Sequence, residues 1–496
     1  MIHKTQVATE STHLIPRDEE IHHDSDQQHQ HTQHTQPHLG VFACMSLIIN
    51  KMIGTGIFST PSLIFSLSGN IGTSLILWGI GGIITFCGLS VYLEFGLELP
   101  KSGGEKNYLQ RVFTRPEKLI ECIYAFQIVL LGFSSGNSYA FGKYILFALG
   151  FDEHINDWIP RIIGIGVITF AIYLHIYHPN SSTKVFTFLG FTKILILMII
   201  IFLGGLTYLN LIEIPQNDNF NNIWQNYPNY SGNSYNISVA LLQVIYSFKG
   251  WENANYVLSE IKNPHQTLKV SAPLSVLITT ILYFLVILSY YLVIPKEEFA
   301  DSGVVIAGIF FNKILGESIT SRLLPILISL SNFGNVLAVS FSHSRINQEL
   351  SKEGFLPFSS FFAVLKNSIF LHWLITVIIL LIPPKYGNIY QFVVNLYAYP
   401  GTWVNIFVAL GLIYLHFNKT REKWGLNPNK WHSFELFNFI FLGSNIFLAL
   451  FPFIPPPLQY RLNNDYPFYV FPLTGIAVLG SGGIYWYFRY KRKSLY

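Results

Sequence analysis

The chain has 496 residues, of which 51% are apolar and only 12% are charged, and its mean hydropathy is +0.39. Because soluble globular proteins carry about 25% charged residues, this composition excludes an ordinary soluble protein and indicates an integral membrane protein. The formal net charge of +4 lies mostly in loops between apolar segments. Nucleic-acid-binding proteins instead cluster basic residues on a soluble surface, so we expect no nucleic-acid partner.

Residues 1–38 form a polar, low-complexity segment that is rich in histidine and glutamine and holds eight of the sixteen histidines. A histidine-rich tract can bind a metal ion. A segment with so little apolar surface to bury stays unfolded, and we therefore predict a disordered cytoplasmic tail without a metal site. No apolar segment precedes residue 40, so we expect no cleavable signal peptide.

Twelve apolar segments follow the tail, each close to the ~20 residues that an α-helix needs to cross a bilayer. They lie near 41–66, 73–99, 119–149, 158–177, 184–208, 237–259, 269–294, 322–348, 367–383, 388–416, 433–454 and 466–489. The fold class that we predict is an all-α integral membrane protein with twelve transmembrane helices. Its transmembrane domain occupies 40–490, and a short basic tail follows at 490–496.

Lysine and arginine are distributed unevenly between the loops. If the N-terminus is placed inside, the inner side holds most of them, including Lys101, Lys106 and Arg111 after the second span and Arg489 and Lys491 in the last segment. Cytoplasmic loops of membrane proteins are enriched in these residues. We therefore predict that both termini are cytoplasmic.

Two of the predicted spans are interrupted near their middles. Gly54-Thr55-Gly56 interrupts the first span and Phe248-Lys249-Gly250 interrupts the sixth. A helix that unwinds in lipid leaves N–H and C=O groups unpaired, at several kcal/mol each, which is tolerated where these groups line a cavity and bind a ligand. Glycines also occur where membrane helices pack closely, but the second interruption favours a binding site.

The groups that such breaks expose suit an amino acid. The N-terminus of a half-helix offers N–H groups and a positive dipole end, which bind a carboxylate. The C-terminus of the other half offers carbonyl groups, which bind an ammonium group. Each break supplies one half-helix N-terminus and one half-helix C-terminus. The two interruptions therefore predict a binding site for a zwitterion.

Four ionisable residues lie at or near membrane depth: Lys51, Lys193, Lys249 and Glu252. Such residues are costly in hydrocarbon and are functional candidates, although snorkelling towards the interface is the alternative. Lys51 and Glu252 each lie beside a break, and the sequence leaves open whether they form a salt bridge.

No enzyme signature is present. The sequence contains no phosphate-binding loop and no His-Glu-x-x-His motif, and the Gly-x-Gly at 54–56 follows no strand, so we predict neither enzymatic activity nor a cofactor. Cys44, Cys87 and Cys122 lie within or at the edges of spans without metal-like spacing, as expected for packing residues.

The predicted outer loop at 209–236 contains two N-glycosylation sequons, at Asn229 and Asn236. Asn236 borders a span, which makes Asn229 the better acceptor.

Several segments resemble the amino acid–polyamine–organocation superfamily of transporters. The matching segments are Asn50-Lys-Met-Ile-Gly-Thr-Gly-Ile-Phe-Ser-Thr-Pro61, Tyr92-Leu-Glu-Phe-Gly96, Pro100-Lys-Ser-Gly-Gly-Glu105, Phe248-Lys-Gly-Trp-Glu-Asn-Ala-Asn-Tyr-Val257 and Glu260-Ile-Lys-Asn-Pro264. The last two resemble the sixth span of L-type transporters, and their amino-acid sequence is most similar to that of fungal methionine permeases. The resemblance covers about residues 40–490.

The resemblance implies a fold and a binding site. The fold consists of two inverted five-helix repeats, at 41–208 and 237–416, with broken helices 1 and 6 and two further helices at 433–489. The implied carboxylate ligands are the N–H groups of Gly54, Thr55 and Gly56, and the implied ammonium ligands are the carbonyls of Met52, Ile53, Tyr246, Ser247 and Lys249. Phe248 and Gly250 complete the second break, and Tyr246 matches an aromatic gate.

Two lysines are informative when this sequence is compared with the superfamily. Lys193 matches a lysine whose ammonium takes the place of a sodium ion, which suggests sodium independence. The sequence leaves open whether Lys193 couples transport to protons or only braces the first span. Lys249 stands where many L-type members have glycine, so a broad L-type specificity is not carried over.

The function that we predict is proton-coupled uptake of methionine across the plasma membrane. One alternative is a sodium-independent exchanger for large neutral amino acids, and another is an amino-acid receptor that signals through its tails. No cysteine falls in a predicted outer loop, which argues against a disulfide-linked partner subunit. The expected partners are an L-amino acid, protons, the lipid bilayer and ubiquitin at Lys4, the only lysine before the first span.

Overall fold

A computed structural model describes residues 39–491 apart from 152–155, 213, 215–216, 228–229, 231, 317–318, 383–388, 428–429 and 457–466. The predicted N-terminal tail with Lys4, the sequon residue Asn229 and most of the predicted C-terminal tail therefore lie outside the described residues.

The described residues form helices and no β-strand, and one isolated parallel bridge pairs Leu39 with Ile261. Helices α1 to α7 are Val41–Met52, Thr55–Ser59, Pro61–Ser68, Ile71–Glu98, Glu105–Val112, Leu119–Leu131 and Ser135–Ala148. Helices α8 to α14 are Trp158–Tyr177, Pro179–Tyr208, Ser234–Phe248, Pro264–Val293, Lys296–Asp301, Ile306–Leu315 and Ile319–Lys352. Helices α15 to α20 are Ser359–Phe362, Leu365–Leu381, Ile389–Phe417, Lys419–Glu422, Glu435–Leu450 and Val470–Trp486. Short 3₁₀ helices lie at Trp251–Glu260, Gly303–Val305 and Phe451–Phe453, and a π-helical turn at Tyr487–Lys491.

Nine helical stretches of the described chain are long and apolar enough to cross a membrane. They are Val41–Ser59, Ile71–Glu98, Leu119–Ala148, Trp158–Tyr177, Pro179–Tyr208, Pro264–Val293, Arg322–Lys352, Val393–Phe417 and Glu435–Phe453. The three remaining predicted spans fall on shorter or interrupted helices. Span 237–259 is divided between α10 and the following 3₁₀ helix, while 367–383 and 466–489 correspond to α16 and α20, each of 17 residues.

Local sequence explains where several helices begin and end. The side chain of Asn70 accepts a hydrogen bond from Thr73 N at 2.8 Å and caps the N-terminus of α4. Asn233 caps α10 in the same way, through Tyr235 N at 2.9 Å. Asparagine is among the best N-cap residues because its oxygen satisfies an N–H group that has no partner within the helix. Helix α3 ends at Gly69, whose φ of +83° suits glycine.

Burial separates the helices into an interior group and an outer group. Helix α1 packs against α9, α11 and α14 and is buried from Cys44 to Met52, and α10 packs against α3, α4 and α17. Outer helices such as α9 expose Phe188 and Phe202. Lipid tails are as apolar as these side chains, so the outer faces fit a bilayer. Both helix interruptions that the sequence predicted lie on the interior helices.

Candidate functional site

The first helix is interrupted as predicted. Helix α1 ends at Met52, Ile53 is extended with φ −81° and ψ 100°, and α2 begins at Thr55. A Cβ atom built on Gly54 would lie 2.5 Å from Asn137 Oδ1 and 2.8 Å from the amide nitrogen of Asn335. A larger residue would displace these amides, so Gly54 is required for close approach.

The second interruption also forms as predicted. Helix α10 ends at Phe248, Lys249 is extended, and Gly250 has a φ of +138°. Residues with side chains rarely adopt this backbone conformation. A Cβ atom on Gly250 would lie 2.7 Å from Met52 N, so the second break packs directly on the end of α1.

Gly56, in the half-helix α2 that follows the first break, brings this half-helix close to α10. A Cβ atom on Gly56 would lie 2.5 Å from the Cα atom of Ser247. The single hydrogen of the Ser247 hydroxyl is shared between Gly56 O at 3.2 Å and Gln243 O at 2.9 Å. The two interruptions therefore form one continuous non-helical region in the protein interior.

A cavity of about 480 Å³ opens beside this region, and we call it the first cavity. It is lined by Lys51, Met52, Gly54, Thr55, Gly56, Phe133, Gly136, Asn137, Tyr246, Lys249, Asn335, Val339, Val393, Val394 and Tyr397. Six of the ten residues predicted to bind substrate line it: Met52, Gly54, Thr55, Gly56, Tyr246 and Lys249. The other four, Ile53, Ser247, Phe248 and Gly250, do not line it. Phe248 packs its ring against Trp78 and Tyr283.

The N-terminus of α2 faces the first cavity. The first N–H groups of a helix have no partner within that helix, which leaves those of Thr55 and Gly56 for other acceptors. Thr55 N donates to Asn137 Oδ1 at 3.1 Å, and Thr55 Oγ1 lies 2.8 Å from Tyr246 OH. The Tyr246 ring is thereby held across the cavity, with its edge against Tyr397 at 5.9 Å between ring centroids.

Several carbonyls at the breaks already accept hydrogen bonds from a side chain or from the backbone. The single hydrogen of Tyr283 OH is shared between Met52 O at 2.7 Å and Ser247 O at 3.1 Å. Tyr246 O accepts from Lys249 N at 3.0 Å. Since a carbonyl oxygen has two lone pairs, these contacts leave one acceptor position on each oxygen for a ligand.

Lys193 contacts the first break but lies outside the first cavity. It projects from α9, is fully buried, and donates to Asn50 O at 2.7 Å and to Ile53 O. Both acceptors belong to the end of α1, where a helix leaves its last carbonyls without partners. The ammonium group therefore caps the C-terminal end of α1.

Lys51 and Glu252, which the sequence placed beside the breaks, form a buried ion pair. Lys51 Nζ lies 3.2 Å from Glu252 Oε1, and Glu252 Oε2 accepts from Gly250 N at 2.9 Å. Lys51 Nζ also lies 3.3 Å from His343 Nε2. Because an ammonium group can only donate, His343 Nε2 is the acceptor in this contact. The pair joins the end of α1 to the second break.

A third interrupted helix was missed by the sequence reasoning. Helix α6 ends at Leu131 and α7 begins at Ser135. Ser134 N donates to Thr376 Oγ1 at 3.2 Å, and Ser134 Oγ lies 2.9 Å from His372 Nε2. This break brings Phe133, Gly136 and Asn137 to the first cavity. The signal was present as Gly132-Phe-Ser-Ser-Gly136, a small and polar stretch inside an apolar run.

A second cavity, of about 710 Å³, lies next to the second break. It is lined by Ile84, Thr85, Tyr92, Glu105, Gln127, Ile128, Ile245, Lys249, Trp251, Glu252, Tyr256, Ala398, Gly401, Thr402, Val404, Asn405, Phe441, Asn445 and Leu448. Glu105 accepts hydrogen bonds from the hydroxyls of Tyr256 and Tyr124, both at 3.0 Å, and from that of Tyr92 at 3.2 Å. Lys249 lines both cavities.

Of the two predicted glycosylation sites, the structure describes only Asn236. Its side chain lies in the first turn of α10 and is 4% exposed. A glycan does not fit at a buried side chain, so Asn236 is inaccessible to glycosylation in this fold.

The long apolar helices, together with the interrupted helices that enclose a polar cavity, define a multi-pass membrane protein of the transporter class. The profile of the amino acid permease family matches residues 39–479. The chain belongs to the amino acid permease family, and it is accordingly an amino acid transporter and not an enzyme. The superfamily resemblance that the motifs indicated is thereby confirmed.

Individual relatives include two yeast permeases and a human transporter. The chain is 36% identical over 459 residues to the high-affinity methionine permease of Saccharomyces cerevisiae, covering 90% of this chain and 78% of that protein. It is 32% identical over 451 residues to the low-affinity methionine permease of the same yeast, covering 89% and 80%. It is 31% identical over 316 residues to the cystine/glutamate transporter of Homo sapiens, covering 63% and 60%.

Proposed function

We propose that this protein takes up methionine across the plasma membrane by secondary active transport driven by protons. The single observation that carries the proposal is the first cavity, which is enclosed by two interrupted helices and faces the N-terminus of α2. The similarity to two yeast methionine permeases supports the choice of substrate. Twelve spans in a five-plus-five inverted repeat, with cytoplasmic termini, complete the proposed topology.

The proposed substrate pose follows from the polarity of the cavity. The carboxylate binds the N–H groups of Gly54, Thr55 and Gly56 at the positive end of α2. At Thr55 it takes the place of Asn137 Oδ1, which accepts from this N–H group at 3.1 Å in the structure. The ammonium group binds the remaining lone pairs on carbonyls at the ends of α1 and α10, those of Met52, Tyr246 and Lys249, which line the first cavity. Tyr246 then closes over the bound amino acid.

The proposed methionine side chain lies among the apolar residues of the cavity. Phe133, Val339 and Val393 line the wall formed by α6–α7, α14 and α17. An unbranched thioether adapts to an irregular apolar space. A side chain of this shape therefore suits the cavity.

Lys193 supports sodium independence of the proposed transport. Its side-chain nitrogen donates to two carbonyls at the end of α1, so the oxygens that a sodium ion would need already have a donor. The proposal also includes regulation by ubiquitin. When substrate is in excess, ubiquitin attached to Lys4 leads to removal of the protein from the membrane.

The test is uptake of labelled methionine into liposomes that contain the purified protein. We expect a pH gradient, acid outside, to drive accumulation that a protonophore abolishes and that sodium does not change. Counterflow without accumulation would instead identify an exchanger, and binding without counterflow would identify a receptor. Empty liposomes and liposomes with the Gly56→Leu variant are the controls.

A further inference from the structure

Lys249 occupies an unusual position between the two cavities. It follows the last residue of α10 and lines both the first and the second cavity. Its ammonium nitrogen lies 4.7 Å from the centre of the Tyr397 ring. Among the residues that the structure describes, no hydrogen bond or ion pair to Lys249 Nζ is formed. The charge is thus held by an aromatic face and directed to the space that a ligand would fill.

The other charges nearby leave the first cavity positive. Lys51 also lines it, but its ammonium group is paired with Glu252 and in contact with His343. Glu252 lies in the second cavity and also accepts a hydrogen bond from Gly250 N. None of the lining residues of the first cavity given above is acidic. Among the residues that the structure describes, Lys249 is therefore the charged residue of the first cavity that forms no direct ion pair, and the carboxylates of Glu252 and Glu105, which line the second cavity, act on it only from a distance.

We propose that Lys249 selects substrates by the charge of their side chain, so that the site rejects cationic amino acids and accepts neutral and anionic ones. This inference rests on the proposed function, because it takes the first cavity as the substrate site. A zwitterion with a neutral side chain carries no net charge and is little affected. An anionic side chain gains attraction that offsets the loss of its hydration.

The size of the effect follows from Coulomb's law. Two like charges about 5 Å apart, at an effective dielectric constant of about 20, repel strongly enough to weaken binding about a hundredfold. Salt screens the interaction only weakly inside a buried cavity. The discrimination is therefore large enough to decide which amino acids the protein binds.

The test compares three competitors of similar size and different charge: glutamine, glutamate and ornithine. Each is titrated against labelled methionine uptake in proteoliposomes, and each is also tested for its effect on the melting temperature of the purified protein. For the natural protein we expect glutamine to have the lowest inhibition constant. The constant for glutamate should lie within about tenfold of that for glutamine, and the constant for ornithine should be about a hundredfold higher.

Three substitutions of Lys249 test the role of the charge. K249R should keep the natural order. K249Q should weaken glutamate and strengthen ornithine, each about tenfold or more, with glutamine changed only a few-fold. K249E should reverse the order of glutamate and ornithine. Lys313→Gln is the matched control, because it removes a lysine that pairs with Glu298 at 2.6 Å and lines neither cavity.

Two results would overturn the inference. If the order of the inhibition constants is unchanged in K249Q and K249E, Lys249 does not select substrates by side-chain charge. If the three inhibition constants change equally, Lys249 instead binds the α-carboxylate that all three competitors share, or it stabilises the fold. Absence of methionine uptake, with the expected order kept in the melting temperatures, would overturn the transport proposal and support the charge selection.

Discussion

Three lysines inside the helical region are stabilised in three different ways. Lys193 donates to backbone carbonyls, Lys51 pairs with a carboxylate, and Lys249 lies over an aromatic ring. A lysine in the middle of a membrane helix costs about 2.5–3.5 kcal/mol on insertion scales, so each needs such a partner. Lys193 thus holds the backbone, whereas Lys51 and Lys249 both line the first cavity and only Lys51 forms an ion pair among the described residues.

Tyr246 is expected to act mainly through its ring. Tyr246→Ala should raise the KM for methionine about tenfold or more, because the open site admits water and weakens hydrogen bonds to the substrate. Tyr246→Phe keeps the ring and removes the hydroxyl, which lies 2.8 Å from Thr55 Oγ1. Loss of a neutral hydrogen bond of about 1 kcal/mol corresponds to about a fivefold change.

Initial rates of labelled methionine uptake at several concentrations measure both variants, with surface protein quantified in parallel. An equally severe loss in Tyr246→Phe and Tyr246→Ala would mean that the hydroxyl, and not the ring, carries the function.

Lys193 is expected to be a structural brace. Lys193→Ala leaves Asn50 O and Ile53 O without their donor, and an unsatisfied buried acceptor costs about 1–3 kcal/mol. Because these carbonyls end α1 beside the cavity, we expect both uptake and exchange to fall together. The control is Thr192→Ala, since the Thr192 hydroxyl bonds only within its own helix, to Phe188 O.

A different outcome would assign proton coupling to Lys193. In that case Lys193→Ala would lose accumulation against a gradient but keep exchange, and its uptake would depend less on pH. Proton-driven accumulation that is unaltered in the variant would contradict both roles.

At the scale of helices, the interruptions are built from glycines that face other helices. Gly54 faces α7 and α14, Gly56 faces α10, and Gly250 faces α1. Each would meet a neighbouring atom at 2.5–2.8 Å if it carried a Cβ atom. The breaks are therefore fixed by mutual packing as well as by local flexibility, and a change in one break is transmitted to the other.

Gly56→Leu should abolish methionine uptake. A Cβ atom there lies 2.5 Å from the Ser247 backbone, so the two broken helices must separate and the N–H groups of α2 lose their alignment. Gly79→Leu on α4 is the matched control, because a Cβ atom at Gly79 meets nothing within 4 Å. Surface-labelled protein and methionine affinity are measured for both, and near-normal affinity in Gly56→Leu would remove the site from the first break.

At the scale of the whole molecule, the two cavities meet at the junction between the broken helices. Lys249 lines both cavities, and the Lys51–Glu252 pair ties α1 to the segment after the second break. A buried pair is costly to break from one side, since the remaining charge loses its partner. The pair is thus placed to hold the two broken helices together in this conformation.

Removing one member of this pair should destabilise the protein more than removing both. Lys51→Met or Glu252→Met leaves a buried unpaired charge and should cost about 3–5 kcal/mol, whereas the double variant should lose considerably less. Melting of the purified protein in detergent measures all three, with Lys352→Met as the control because Lys352 pairs with Glu349 at the exposed end of α14. Additive losses in the double variant would show that the two charges are not coupled.

The sequence by itself determined the membrane class, the family and the two interruptions. Apolar segments of about 20 residues satisfy their backbone in lipid by forming helices, and Gly54-Thr55-Gly56 and Phe248-Lys249-Gly250 are visible because they break these segments. Six of the ten residues named from these motifs line the first cavity. The twelve-span count remains a prediction, since three of the segments correspond to short or interrupted helices.

Only the tertiary structure decided which residues meet across the chain. The pairing of Lys51 with Glu252, the contact with His343 and the capping of α1 by Lys193 join residues about 140 to 290 positions apart. The third interruption, at Gly132–Ser134, is held by His372 and Thr376 from another helix. The pattern of apolar and polar residues along one segment shows the periodicity of a single helix. These contacts depend instead on how separate helices pack against each other, which that pattern does not contain.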